Sequence, residues 1–130
     1  MQSLLGADLF CQCMLKVRVK EHILQFNFAA GTSRGVLLRK KSWFILISNG
    51  QQHMPAIGEC SPIPGLSRDP ENKIPEKIQQ VCSAIEKDEE YPEDLNEFPA
   101  VRFGLETALH DLEHRGDKLF FPSEFTRGKE

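Results

Sequence analysis

Residues 37–50 read Leu-Leu-Arg-Lys-Lys-Ser-Trp-Phe-Ile-Leu-Ile-Ser-Asn-Gly, and their reading decides the fold. Trp43 to Ile47 is an unbroken apolar run, too short for a helix and rich in aromatic and β-branched residues. Such a run predicts a strand covered on both faces. Asn49-Gly50 is a strong hairpin signal, so the strand should turn back on itself. Upstream, Leu15, Val17 and Val19 alternate with Lys16, Arg18 and Lys20, the period-two pattern of a half-buried strand. That pattern restarts at Ile23, Leu24, Phe26 and Phe28, with a bulge or bend expected at Lys20–His22. Ala29 to Gly35 reads as a loop, and a third strand is expected at about Met54 to Glu59. The sum is a three-stranded antiparallel meander.

Beyond it the periodicity changes. Residues 61–70, SPIPGLSRDP, carry three prolines and exclude regular structure. Ile74, Ile78, Val81 and Ile85 then form a helical stripe, with Asn72 expected to cap it and Pro75 tolerated in its first turn. Lys87 to Asp94 is mostly acidic and reads as a solvated connection. Asn96-Glu97-Phe98-Pro99 repeats the Asn-x-x-Pro opening and leads to a second stripe, Val101, Leu105, Ala108, Leu109 and Leu112. Gly116 should end that helix, after His114 and Arg115. Lys118 to Glu130 holds Phe120, Phe121 and Phe125 with little periodicity. The fold class is therefore α+β: a three-stranded antiparallel meander followed by two or more helices.

Composition narrows the function. In 130 residues, 40% are hydrophobic and 27% charged, as in an ordinary globular domain with a real core. The net charge of -3 gives no footprint for nucleic acid, and Arg39, Lys40 and Lys41 read as the solvated entry to the apolar strand. No apolar run approaches the ~20 residues of a membrane span. The start lacks a basic leader and contains Asp8, so a cytoplasmic protein is expected. Cys11, Cys13, Cys60 and Cys82 form no C-x-x-C pair and are expected to be free thiols. His22, His53, His110 and His114 show no metal spacing, and His110 and His114 read as a solvated pair on a helix.

Three ordered stretches carry a resemblance. They are Gly31-Thr32-Ser33-Arg34-Gly35, the segment from Gly58-Glu59 through Pro62, Pro64 and Leu66 to Ser67, and Phe103-Gly104-Leu105-Glu106-Thr107-Ala108-Leu109-His110-Asp111-Leu112. Together they resemble the amino-terminal capping domain of the enolase superfamily, in its o-succinylbenzoate synthase branch. The resemblance spans about Leu15 to the end. It implies a capping domain over residues 14–130 preceded by an extension at 1–13. A catalytic (β/α) barrel, bearing the lysines and Mg²⁺ ligands, is expected to follow outside this chain. No catalytic residue, metal site or cofactor is then expected here, with Mg²⁺ belonging to the parent enzyme.

By the same resemblance, the parent would be a Mg²⁺-dependent lyase of menaquinone biosynthesis acting on a small carboxylate substrate. N-acylamino-acid racemases and dipeptide epimerases share the cap, and a stand-alone binding module is the reading of a different class. The candidate substrate-binding residues are Thr32, Ser33 and Arg34, whose hydroxyls, backbone N–H groups and guanidinium suit a carboxylate or a phosphate. Ile63 and Leu66 would add apolar wall, and Arg68 a second cation. Without the resemblance these are a tight turn with an incidental arginine and a stiff connection. Glu59 and Glu106 read as structural carboxylates, the latter toward Arg102. The barrel-facing surface, with Phe120, Phe121 and Phe125, is expected to be exposed and to favour a homo-oligomer.

Overall fold

A computed structural model describes residues 14–114 and 119–129, so the extension at 1–13 and Gly116 lie outside the described residues. β1 (Lys16–Thr32), β2 (Gly35–Ser48) and β3 (Ala56–Cys60) form one antiparallel sheet in that order. The side chains of Trp43, Ile45 and Ile47 alternate onto one face and are buried there, and Val17 and Val19 pair with Ile47 and Ile45 to extend it.

Two expectations for the first hairpin need correction. The pairing runs without a break from Lys16↔Ser48 to Gln25↔Arg39, so no bulge lies at Lys20–His22. The irregularity falls later, where Phe26 to Ala29 stand opposite Leu38 before pairing resumes at Ala30↔Leu37. The expected loop at Ala29 to Gly35 is correspondingly strand as far as Thr32, leaving Ser33 and Arg34 as a two-residue turn. Alternation cannot reveal that slip, because three extra residues in one strand are visible only against its partner. Beyond Trp43, where β3 stops pairing, the hairpin is a two-stranded arm. Most of its side chains are exposed, Ile23, Leu24 and Phe28 among them. At the other end of β2, Asn49-Gly50 opens a longer loop rather than a tight hairpin, and β3 begins at Ala56, not Met54. There the Asn49 side chain accepts the Gln51 N–H at 3.0 Å, an Asx turn.

α1 (Ile74–Lys87) and α2 (Pro99–Glu113) cover the inner face of the sheet. Both predicted stripes are buried, from Ile74 to Ile85 and from Val101 to Leu112. At ~1.5–3 kcal/mol per large apolar side chain, this layer dominates stability. Neither asparagine caps its helix. A 3-10 turn, Glu71–Lys73, precedes α1, whose cap position is Lys73, and Asn96 instead accepts a hydrogen bond from Arg102 Nη1 at 2.6 Å. The cap of α2 comes from elsewhere: Asp69, buried in the proline-rich loop, accepts the Ala100 N–H at 3.0 Å and the Val101 N–H at 3.3 Å. These are donors that a helix start leaves without intrahelical partners. Asp111, fully buried on α2, accepts the Ile57 N–H at 2.8 Å and so ties the outer edge of β3 to the helix. Glu86 accepts the Val17 N–H at 2.9 Å on the opposite edge. Among the described residues, no helix is long and apolar enough to cross a membrane.

Candidate functional site: the arm tip and the proline-rich loop

Thr32 and Gly35 flank the tip of the arm. The Thr32 hydroxyl donates to the Gly35 carbonyl at 2.7 Å and accepts the Arg34 N–H at 3.3 Å, which closes the turn on itself. Gly35 has φ +136°, a conformation L side chains rarely adopt, so glycine is required there. Ser33 and Arg34 project from this turn and are exposed.

The second candidate loop folds as tightly. Leu66 and Ser67 donate their N–H groups to the Ile63 carbonyl at 3.0 and 2.9 Å, and Ser67 Oγ accepts the Ile63 N–H at 2.8 Å. This turn presents Ile63 and Leu66 to solvent, Leu66 at 54% exposure, with Arg68 exposed beside them. Asp69, at the root of the loop, is the residue that caps α2, so the loop is fixed to the body of the fold.

The two loops meet. Arg34 Nη1 donates to the Gly65 carbonyl at 3.1 Å, joining residues 31 apart in sequence. One guanidinium donor is committed to this latch, and Arg presents five in all. Deeper along the same seam, Lys40 Nζ donates to Ser61 Oγ, which lies 2.8 Å from Ser42 Oγ. Lys40, expected to be plain solvated charge, is half-buried in this polar cluster. Sequence reasoning missed it because it required knowing that Ser61 runs past Ser42 after β3. The result is one rim carrying hydroxyls and cations at the tip and apolar side chains at Ile63 and Leu66.

Glu59 is exposed at the end of β3, and Glu106 takes a 2.7 Å ion pair from Arg102. Cys60 and Cys82 are free and buried. Burial, reinforced by Asp69 and Glu59, pushes the Cys60 thiol up to about 12. Burial and Glu86 push Cys82 to about 11, so neither is a nucleophile near neutrality.

An antiparallel meander with two helices packed on one face, its first hairpin latched to the loop after β3, defines an amino-terminal domain of the enolase-superfamily kind. The family described as MenC, N-terminal domain, matches residues 21–112, and the chain belongs to it. Among curated proteins, the chain is 34% identical to an o-succinylbenzoate synthase of Desulfotalea psychrophila (strain LSv54 / DSM 12343), over 82% of this chain and 37% of that protein. Among solved structures, it resembles the crystal structure of MenC from Desulfotalea psychrophila LSv54. The TM-score is 0.68 and the identity 25%, over 89% of this chain and 39% of that one. The chain therefore spans less than two-fifths of the length of these relatives.

Proposed function

We propose that this chain is the substrate-enclosing amino-terminal part of an o-succinylbenzoate synthase of menaquinone biosynthesis, and that it performs no chemistry alone. The observation that carries the reading is the Arg34–Gly65 latch, which joins the two candidate loops into one rim. Thr32, Ser33 and Arg34 offer hydrogen bonds and positive charge to a small carboxylate substrate, Ile63 and Leu66 shield its apolar part, and Arg68 adds a second cation. Such a rim acts by holding the substrate and excluding water rather than by moving a proton.

The parent reaction is a dehydration that begins with loss of a proton α to a carboxylate, with Mg²⁺ supplying charge stabilisation. The residues described here do not fit Mg²⁺. Their one convergent group of possible ligands, His110, Glu113 and His114, contains two imidazoles where that ion takes oxygen. The experiment has two arms. In the full-length protein, Arg34→Ala should lower kcat/KM about tenfold or more, the effect of losing a hydrogen bond to a charged group worth ~1.5–3 kcal/mol, with Arg34→Lys between the two. The 130-residue chain, given the small carboxylate substrate of the parent reaction and Mg²⁺, should show no turnover. Unchanged kcat/KM in Arg34→Ala would remove the residue from the rim's function. Turnover that scales with the isolated chain and stops with chelator would refute the enclosing-only role.

A further inference from the structure

We propose that His110, Glu113 and His114 form a surface site for a borderline transition-metal ion, Zn²⁺ foremost, at the carboxyl end of α2. One potential ligand atom from each residue lies within 4.8 Å of the others. The helix produces this arrangement directly, because positions separated by three and four residues share a face. His110 Nδ1 stands 3.6 Å from Glu113 Oε2. Tetrahedral ligands at metal distances of about 2.0–2.1 Å lie about 3.4 Å from one another. Rotation of these side chains, with His110 at 60% and Glu113 at 38% exposure, covers the difference.

Two further features favour a ligand set over a solvated pair. His114 Nδ1 lies 2.8 Å from the His110 carbonyl. An Nδ1–H donated there fixes the tautomer and leaves the Nε2 lone pair for a metal, as outer-shell carbonyls do at metal-binding histidines. Phe120 folds back over both imidazoles, with ring centroids 5.9 Å from His110 and 5.7 Å from His114. It lines one side of the pair. Two imidazoles and one carboxylate select Zn²⁺, Ni²⁺, Cu²⁺ or Co²⁺ over Mg²⁺ and Ca²⁺, and three protein ligands leave a position open for water or a further donor.

The test is calorimetric titration of the tag-free 130-residue chain with Zn²⁺, alongside Co²⁺ visible absorption and thermal unfolding. One ion per chain should bind, with a rise in Tm, and millimolar Mg²⁺ should not compete. His110→Ala and His114→Ala should each weaken binding at least tenfold, and Glu113→Gln several-fold. His53→Ala should leave it unchanged. The substituted positions lie at the helix surface, and metal-free Tm values equal to that of the unsubstituted chain will show that the variants fold. Absence of binding, binding retained in the His110→Ala/His114→Ala double variant, or displacement by Mg²⁺ would each overturn the proposal.

Discussion

A β-carbon at Gly58 would stand 2.7 Å from the Ala108 nitrogen and 2.8 Å from its β-carbon, so β3 and α2 touch backbone to backbone here. Across the same contact, a β-carbon at Gly104 would meet Cys60 N at 3.0 Å, a milder intrusion. Gly58→Ala should therefore push α2 off the sheet and cost at least the ~1–3 kcal/mol of core overpacking. Gly104→Ala regains up to ~1 kcal/mol of helix propensity and should cost clearly less. Urea denaturation of the two variants reads the order, and equal losses would show that the contact is not the seam described. The thiols give a second expectation at this scale. Cys60 and Cys82 rise from 9.0 to about 12 and about 11, so above pH 9 the unfolded chain loses protons the folded one keeps. Stability should then fall as pH climbs from about 9 toward 12, and Cys60→Ala/Cys82→Ala should flatten that decline. Site-resolved alkylation at pH 8 should leave both unlabelled until the chain unfolds.

The elements were legible where one chain segment carries its own pattern. The stripes Ile74–Ile85 and Val101–Leu112 lie in the core as their spacing requires. The run Trp43–Ile47, by contrast, buries only Trp43, Ile45 and Ile47 and leaves Phe44 and Leu46 half-buried. That strand is covered on one face rather than the two its unbroken apolar run suggests. What escaped is what depends on a second segment: the slip opposite Leu38, the Asp111 bond to Ile57 and the cap at α2. A local asparagine suits a helix start, but Asp69 reaches the same N–H groups from the preceding loop, and no spacing rule spans that distance. The candidate site divides likewise. Its residue types were readable at Thr32–Arg34 and Ile63–Arg68, whereas the Arg34–Gly65 latch and the Lys40–Ser61 bond exist only after folding. Asp69 couples the two levels, since it caps α2 and anchors the rim loop. Asp69→Ala should cost about 1–2 kcal/mol, as loss of an N-cap does. Hydrogen exchange should rise at Ala100 and Val101 and also at Leu66 and Ser67. Faster exchange confined to the helix start would show that the loop holds its shape without the aspartate.

At the scale of the molecule, the apolar groups left in water are concentrated outside the sheet-and-helix core. Phe28 on the arm is 81% exposed, and Phe121 and Phe125 beyond α2 are 79% and 89% exposed. The three phenylalanines near the end of the sequence do not act alike. Phe120 turns back onto His110 and His114, rather than onto Leu109 and Leu112, while the other two stay open. Thr126 stabilises that outward course, donating to the Phe121 carbonyl at 2.9 Å and accepting the Ser123 N–H at 2.8 Å. A fold that ties down its backbone there while presenting both rings offers a surface for another protein layer. Each ring, if covered, contributes ~1.5–3 kcal/mol, enough in combination to drive weak association of the isolated chain. Sedimentation or light scattering of the 130-residue chain should therefore show concentration-dependent self-association. Phe121→Ser/Phe125→Ser should suppress it without lowering Tm, because neither side chain belongs to the core. A chain that stays monomeric at high micromolar concentration, or a double variant that associates as before, would place the contact elsewhere and remove these rings from it.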